Sequence, residues 1–149
     1  MREKLDADIK TAMLSGDKIK AETLKGIKAA LLNEEISLGA RDSGLSEEQT
    51  LKVLARESKK RIEAAEMYKT GGAQDRADSE LAEKAIIDQY LPEQESEDQI
   101  REVISAKISE LSATNMTDMG KVIGAVKGQL GATADGALIA SLVKENLSQ

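Results

Sequence analysis

Apolar residues recur along most of this chain at three- and four-residue intervals, the spacing that lines one face of an α-helix. Leu5, Ile9, Ala12 and Met13 open the series. Ser15-Gly16-Asp17 interrupts it, with Gly16 placed to end the first helix and Asp17 to cap the second. The second helix carries Leu24, Ile27, Leu31 and Ile36 and runs to about Leu38-Gly39. A polar, glycine-flanked loop follows. Ser46 then stands three residues before Gln49, a capping box that starts a third helix with the seam Leu51, Leu54, Ser58, Ile62, Ala65 and Tyr68. Gly71-Gly72 ends it. Asp75 is the expected cap of a fourth helix bearing Leu81, Ala85, Ile86 or Ile87, and Tyr90, and Leu91-Pro92 stops that helix.

Pro92 is the only proline, and the polar run Glu93-Gln94-Glu95 after it marks a boundary. Ser96 and Gln99 form a second capping box. Ile100, Val103, Ile104, Ile108 and Leu111 make the fifth stripe. Thr117 is the expected cap of a sixth helix holding Met119, Val122, Ile123 and Val126 inward. After a break over Gly131 to Ala134, Asp135 caps a seventh helix with Leu138, Leu142, Val143 and Leu147 inward. No useful stretch alternates with period two. The pattern predicts an all-α protein: an N-terminal four-helix domain over 1–91 and a small C-terminal three-helix domain over 95–149.

Composition narrows the chemistry. The 149 residues include no cysteine and no histidine, which removes disulfides, thiolate nucleophiles, the usual general base and the commonest metal ligand. Carboxylate pairs such as Glu34-Glu35 and Glu47-Glu48 are sequence neighbours, which point about 100° apart on a helix and cannot act as an acid/base pair. No serine sits in a nucleophile elbow. We therefore expect no autonomous catalysis, no cofactor and no metal. Two tyrosines are the only aromatics, too few for a base-stacking platform. The methionines Met13, Met67, Met116 and Met119 read as core filler. No apolar leader opens the chain and no stretch approaches the ~20 apolar residues of a membrane span. The expected compartment is cytoplasmic, with no membrane partner.

Net charge is -6, against strong non-specific binding to phosphate backbones. Residues 1–91 hold 16 Lys and Arg against 18 Asp and Glu, and residues 92–149 hold 5 against 9, so basic residues concentrate in the first part. Lys52, Arg56 and Lys59 share a helical face, with Lys60 beside it, and Lys25 and Lys28 project from the second helix with Lys18. This pattern suits either a phosphate-contacting stripe or a solvated face laced with ion pairs. In the C-terminal part, Gly120, Gly124 and Gly128 recur every four residues, with Lys121 and Lys127 between them. The spacing is not that of a phosphate-binding P-loop. Close helix packing is the simpler expectation for these glycines. Close approach to a nucleic-acid backbone is the functional one.

Three segments carry a family resemblance. They are Leu24-Lys25-Gly26-Ile27-Lys28-Ala29-Ala30-Leu31-Leu32-Asn33-Glu34-Glu35-Ile36; the run from Lys60-Arg61 through Ala64, Tyr68, Gly72 and Asp75 to Tyr90-Leu91-Pro92; and Met119-Gly120-Lys121-Val122-Ile123-Gly124 with Ala134-Asp135-Gly136 and Leu142-Val143-Lys144. Together they resemble the GatB/YqeY family over essentially the whole chain. The resemblance implies a helical N-terminal domain and a C-terminal domain similar to the tail of the B subunit of glutamine-dependent aminoacyl-tRNA amidotransferase. That tail helps hold tRNA, while amide transfer takes place in other domains. It also implies tRNA, or a protein acting in tRNA-dependent amidation or translation, as partner. A carbon–nitrogen ligase activity with glutamine as amide donor is often ascribed to the family. A protein-interaction adaptor without RNA is the alternative. Gly120, Lys121 and Gly124 match the tail's Gly-Lys-x-x-Gly pattern. Leu130-Gly131-Ala132-Thr133 stands where members commonly carry a basic step, and Ala73 where an Arg often follows the glycine. Both departures remove phosphate contacts.

Overall fold

A computed structural model describes residues 1–148 and contains seven α-helices and two short 3-10 turns, with no strand among them. The all-α expectation holds. The chain divides into two compact units, Met1–Leu91 and Pro92–Gln149.

In the first unit, α1 (Arg2–Ser15) and α2 (Lys18–Ser37) form a helical hairpin. Gly16 turns the corner at φ 76°, a left-handed conformation that glycine adopts without steric penalty. The Asp17 carboxylate accepts from the Lys20 N–H and so starts α2. The third helix, α3 (Glu47–Thr70), begins at the predicted capping box. Ser46 accepts from the Gln49 N–H at 3.1 Å, and the Gln49 side chain accepts from the Ser46 N–H at 2.9 Å. It packs most extensively on α4 (Gln74–Asp88). Leu5, Ile9, Leu24, Ile27, Leu31, Val53, Leu54, Ile87 and Tyr90 form the core. The Tyr90 hydroxyl donates to Asp8, and the Lys4 ammonium lies 5.0 Å from the centre of its ring.

In the second unit, α5 (Glu97–Glu110), α6 (Met119–Leu130) and α7 (Gly136–Leu147) pack around Ile100, Ile104, Val122, Val126, Leu130, Ile139, Leu142, Val143 and Leu147. Ser96 and Gln99 form the second capping box, and Asp135 accepts from the Ala137 N–H to start α7. Arg101 ties α5 to α7 by bonding Glu97 at 3.0 Å and Glu145 at 3.1 Å.

Several expected positions move. The buried stripe of α2 continues from Leu31 to Glu35, which is only 5% exposed and paired with Arg2. Ile36 lies about 120° from Leu24 around the helix and is 54% exposed. On α3 the inward place seven residues after Leu54 belongs to Arg61, so Ile62 faces out. Leu81 stands about 120° from Ile87 and is exposed together with Ala85. Leu111 follows the last residue of α5 and escapes the core. Met13, Met67 and Met116 are exposed, and of the four methionines expected inside only Met119 packs against a core. Asp75 lies in the first turn of α4, whose N-cap is Ala73. The cap expected from Thr117 is supplied by Asn115, which accepts from the Thr117 N–H at 2.9 Å and opens the 3-10 turn before α6.

Candidate nucleic-acid interface

The core side of α6 is set by Val122, Val126 and Leu130, four residues apart. Gly120, Gly124 and Gly128 each precede one of these by two residues, which turns them about 160° away from the core. The structure places all three on the outer surface, and a Cβ built on any of them meets nothing within 4 Å. They therefore do not serve close helix packing, because no neighbouring helix approaches them. The result is a strip of bare backbone about 12 Å long on the outside of α6.

Lysines flank the strip. Lys121 is exposed on one side and carries no ion pair among the described residues. Lys127 is exposed on the other, and its side chain lies over the start of α7. A Cβ at Gly136 would stand 3.1 Å from its Cε and 3.2 Å from its Nζ. Gly136 thus leaves the room that Lys127 occupies. This positioning role was missed by sequence reasoning, although Ala134-Asp135-Gly136 had marked the place.

The cations of the first unit have a different setting. Lys52 pairs with Glu48 at 3.2 Å, Arg56 with Glu34 of α2 at 3.1 Å, and Lys60 with Glu57 at 3.0 Å. Lys59 is exposed and engaged in an interaction of its own. Lys25 pairs with Glu22 at 3.2 Å, and Lys28 with Asp6. Beneath this surface, Arg61 bonds Glu57 at 2.8 Å and Glu83 of α4 at 3.1 Å, while Ser58 donates to Asp88 at 2.6 Å. Burial alone would raise the Glu57 carboxyl, but hydrogen bonds and charge from Lys60 and Arg61 outweigh it and hold its pKa below the ordinary carboxylate value. For Arg61, burial opposes the charged form, and bonds to Glu57 and Glu83 more than restore it. The polar seam between α3 and α4 is thus ionised and internally compensated. Phosphate contact on this side would compete with carboxylates already in place.

Among the described residues, no group of three or more Asp or Glu side chains is placed to hold a metal, and no helix is long and apolar enough to cross a membrane.

The chain is similar to two yeast proteins, each named altered inheritance of mitochondria protein 41, mitochondrial. The one from Meyerozyma guilliermondii is 28% identical over 131 residues, covering 84% of this chain and 67% of the relative. The one from Clavispora lusitaniae is 27% identical over 128 residues, covering 85% and 71%. Their mitochondrial names overturn the plain cytoplasmic placement expected from the sequence. That expectation rested on the lack of an apolar leader. Mitochondrial targeting segments are amphipathic and arginine-rich rather than apolar, so the criterion does not discriminate. The model of the Yqey-like protein family matches residues 2–147, and the chain belongs to that family.

Proposed function

We propose that this protein is a non-catalytic tRNA-binding accessory protein and that the outer face of α6 is its contact surface. The observation that supports the reading is the bare strip of Gly120, Gly124 and Gly128, unused by the fold and bordered by Lys121 and Lys127. A helix interior disfavours glycine by about 1 kcal/mol relative to alanine. Three glycines on an open face weaken the helix without improving its packing. Close approach of a sugar–phosphate chain gives them a use, since backbone and phosphate can then meet without intervening side chains. Lysine ammonium groups at the edges supply the charge. The paired cations Lys25, Lys28, Lys52, Arg56 and Lys60, with Lys59, form a weaker secondary surface, because each phosphate contact there must displace a carboxylate or share a cation with it. With neither cysteine nor histidine in the chain, its proposed part in any amide transfer is to hold RNA for a partner enzyme.

The test is a titration of purified protein against tRNA by fluorescence anisotropy, at low and at physiological salt. Saturable binding is expected. Lys121→Gln with Lys127→Gln should weaken it and reduce the salt slope by about 1.4–1.8, since each lost phosphate contact removes roughly 0.7–0.9. Lys52→Gln with Lys60→Gln should change it less. Absence of binding at low salt would refute the proposal and favour a protein-binding adaptor.

A further inference from the structure

Leu14 is the most exposed large apolar side chain in the molecule, at 79%, and it stands at the α1–α2 corner between Met13 at 59% and Ile19 at 57%. The corner is open to solvent. The chain reverses there through Gly16, where an added Cβ would meet nothing within 4 Å. Lys10, Lys18 and Lys20 flank the three apolar residues along the chain, Lys10 and Lys18 exposed and Lys20 half-buried, and none of them has an ion pair among the described residues. The only acid between Lys10 and Lys20 is Asp17, whose carboxylate is engaged as the α2 cap. On a chain of net charge -6, this is a local excess of positive charge around protruding apolar tips.

We propose that this corner docks peripherally on an anionic lipid surface. Its shape favours lipid over a protein partner. A stable protein interface needs about 800 Å² per side and pockets that receive its anchors. Three side chains at the ends of two helices offer too little area for that. A bilayer interface accepts such tips without a matching pocket, and lysines beside them meet the lipid phosphates. No helix is involved in crossing the membrane.

The experiment is co-flotation of the full chain with phosphatidylcholine vesicles, with and without a minority of phosphatidylserine. Retention is expected only on the anionic vesicles, and it should fall as salt rises. Each lysine near such a surface contributes about fivefold, so replacing Lys10, Lys18 and Lys20 by Gln should lower partitioning on the order of 100-fold. Leu14→Ser with Ile19→Ser should lower it at least about tenfold, because the apolar insertion is lost. All five positions lie outside the core, and circular dichroism would verify that the variants fold. A control pair, Lys52→Gln with Lys144→Gln, should lower partitioning far less. Equal retention on neutral and anionic vesicles, no retention at all, or equal losses in the control and corner variants would overturn the proposal. Capture of the corner by a soluble acidic peptide without vesicle retention would assign it to a protein partner instead.

Discussion

Replacing Gly120, Gly124 and Gly128 by alanine should make the protein more stable and a poorer ligand for tRNA. Each added methyl enters open space, so no packing penalty arises. Gly124 sits mid-helix and should gain close to the full ~1 kcal/mol that separates glycine from alanine. Gly120 is the second residue of α6 and Gly128 the third from its end, where the gain is smaller. The sum is about 2 kcal/mol, which for a unit this small corresponds to a rise in melting temperature of about 10 °C. Thermal circular dichroism would measure the shift, and hydrogen exchange across residues 97–147 would localise it. The same variant in the anisotropy titration should bind tRNA more weakly, because three methyl groups now hold the backbone away from the phosphates. A loss of stability would refute the outward geometry of the strip. A gain in stability with unchanged affinity would remove this face of α6 from the proposed interface.

Other perturbations probe the ionised groups and the core. Arg2→Ala should cost more than Glu35→Gln, by about 1–2 kcal/mol in urea unfolding, because the first leaves a carboxylate buried without its partner while the second leaves an exposed guanidinium that water can solvate. Glu57 titrates below its ordinary value of 4.5, so its contribution is present above that pH and is lost as pH falls through the lowered value. Stability of the Glu57→Gln variant, followed by denaturant titration from neutral to acid pH, should therefore fall less steeply in that range than the parent's. Ile104→Ala, at a fully buried position of the second unit, should cost about 2–5 kcal/mol, and a value under 1 would contradict the packing described.

The helices and four of their caps could be read from the sequence because they depend on local spacing. Ser46 with Gln49, Ser96 with Gln99, Asp17 and Asp135 all act through neighbours within four residues. Two inward positions are taken by charged residues that hydropathy places outside. Glu35 displaces Ile36 because Arg2 reaches it, and Arg61 displaces Ile62 because Glu57 and Glu83 both do. Hydropathy favours the isoleucine in each pair, and the fold supplies the remote counter-charges, Arg2 for Glu35 and Glu83 for Arg61. The outward placement of the glycine strip was legible in the sequence. Spacing put three glycines on one side of α6, but the position of that side relative to the core depended on Val122 and Val126, which were available to decide it. The pairing of Lys52, Arg56 and Lys60 with carboxylates was half legible. Glu48 and Glu57 lie within one turn of their partners, whereas Glu34 is brought to Arg56 by tertiary packing.

Tyr90 gives the molecule a built-in optical reporter. With no tryptophan and only one other tyrosine, its intrinsic emission comes from two phenols, and one of them is buried with its hydroxyl on the Asp8 carboxylate. A carboxylate acceptor draws the proton from an excited phenol and dims it. When the first unit opens, Tyr90 should leave Asp8 and brighten, so unfolding of residues 1–91 can be followed without a label. The second unit contains no aromatic residue and will be silent in the same trace.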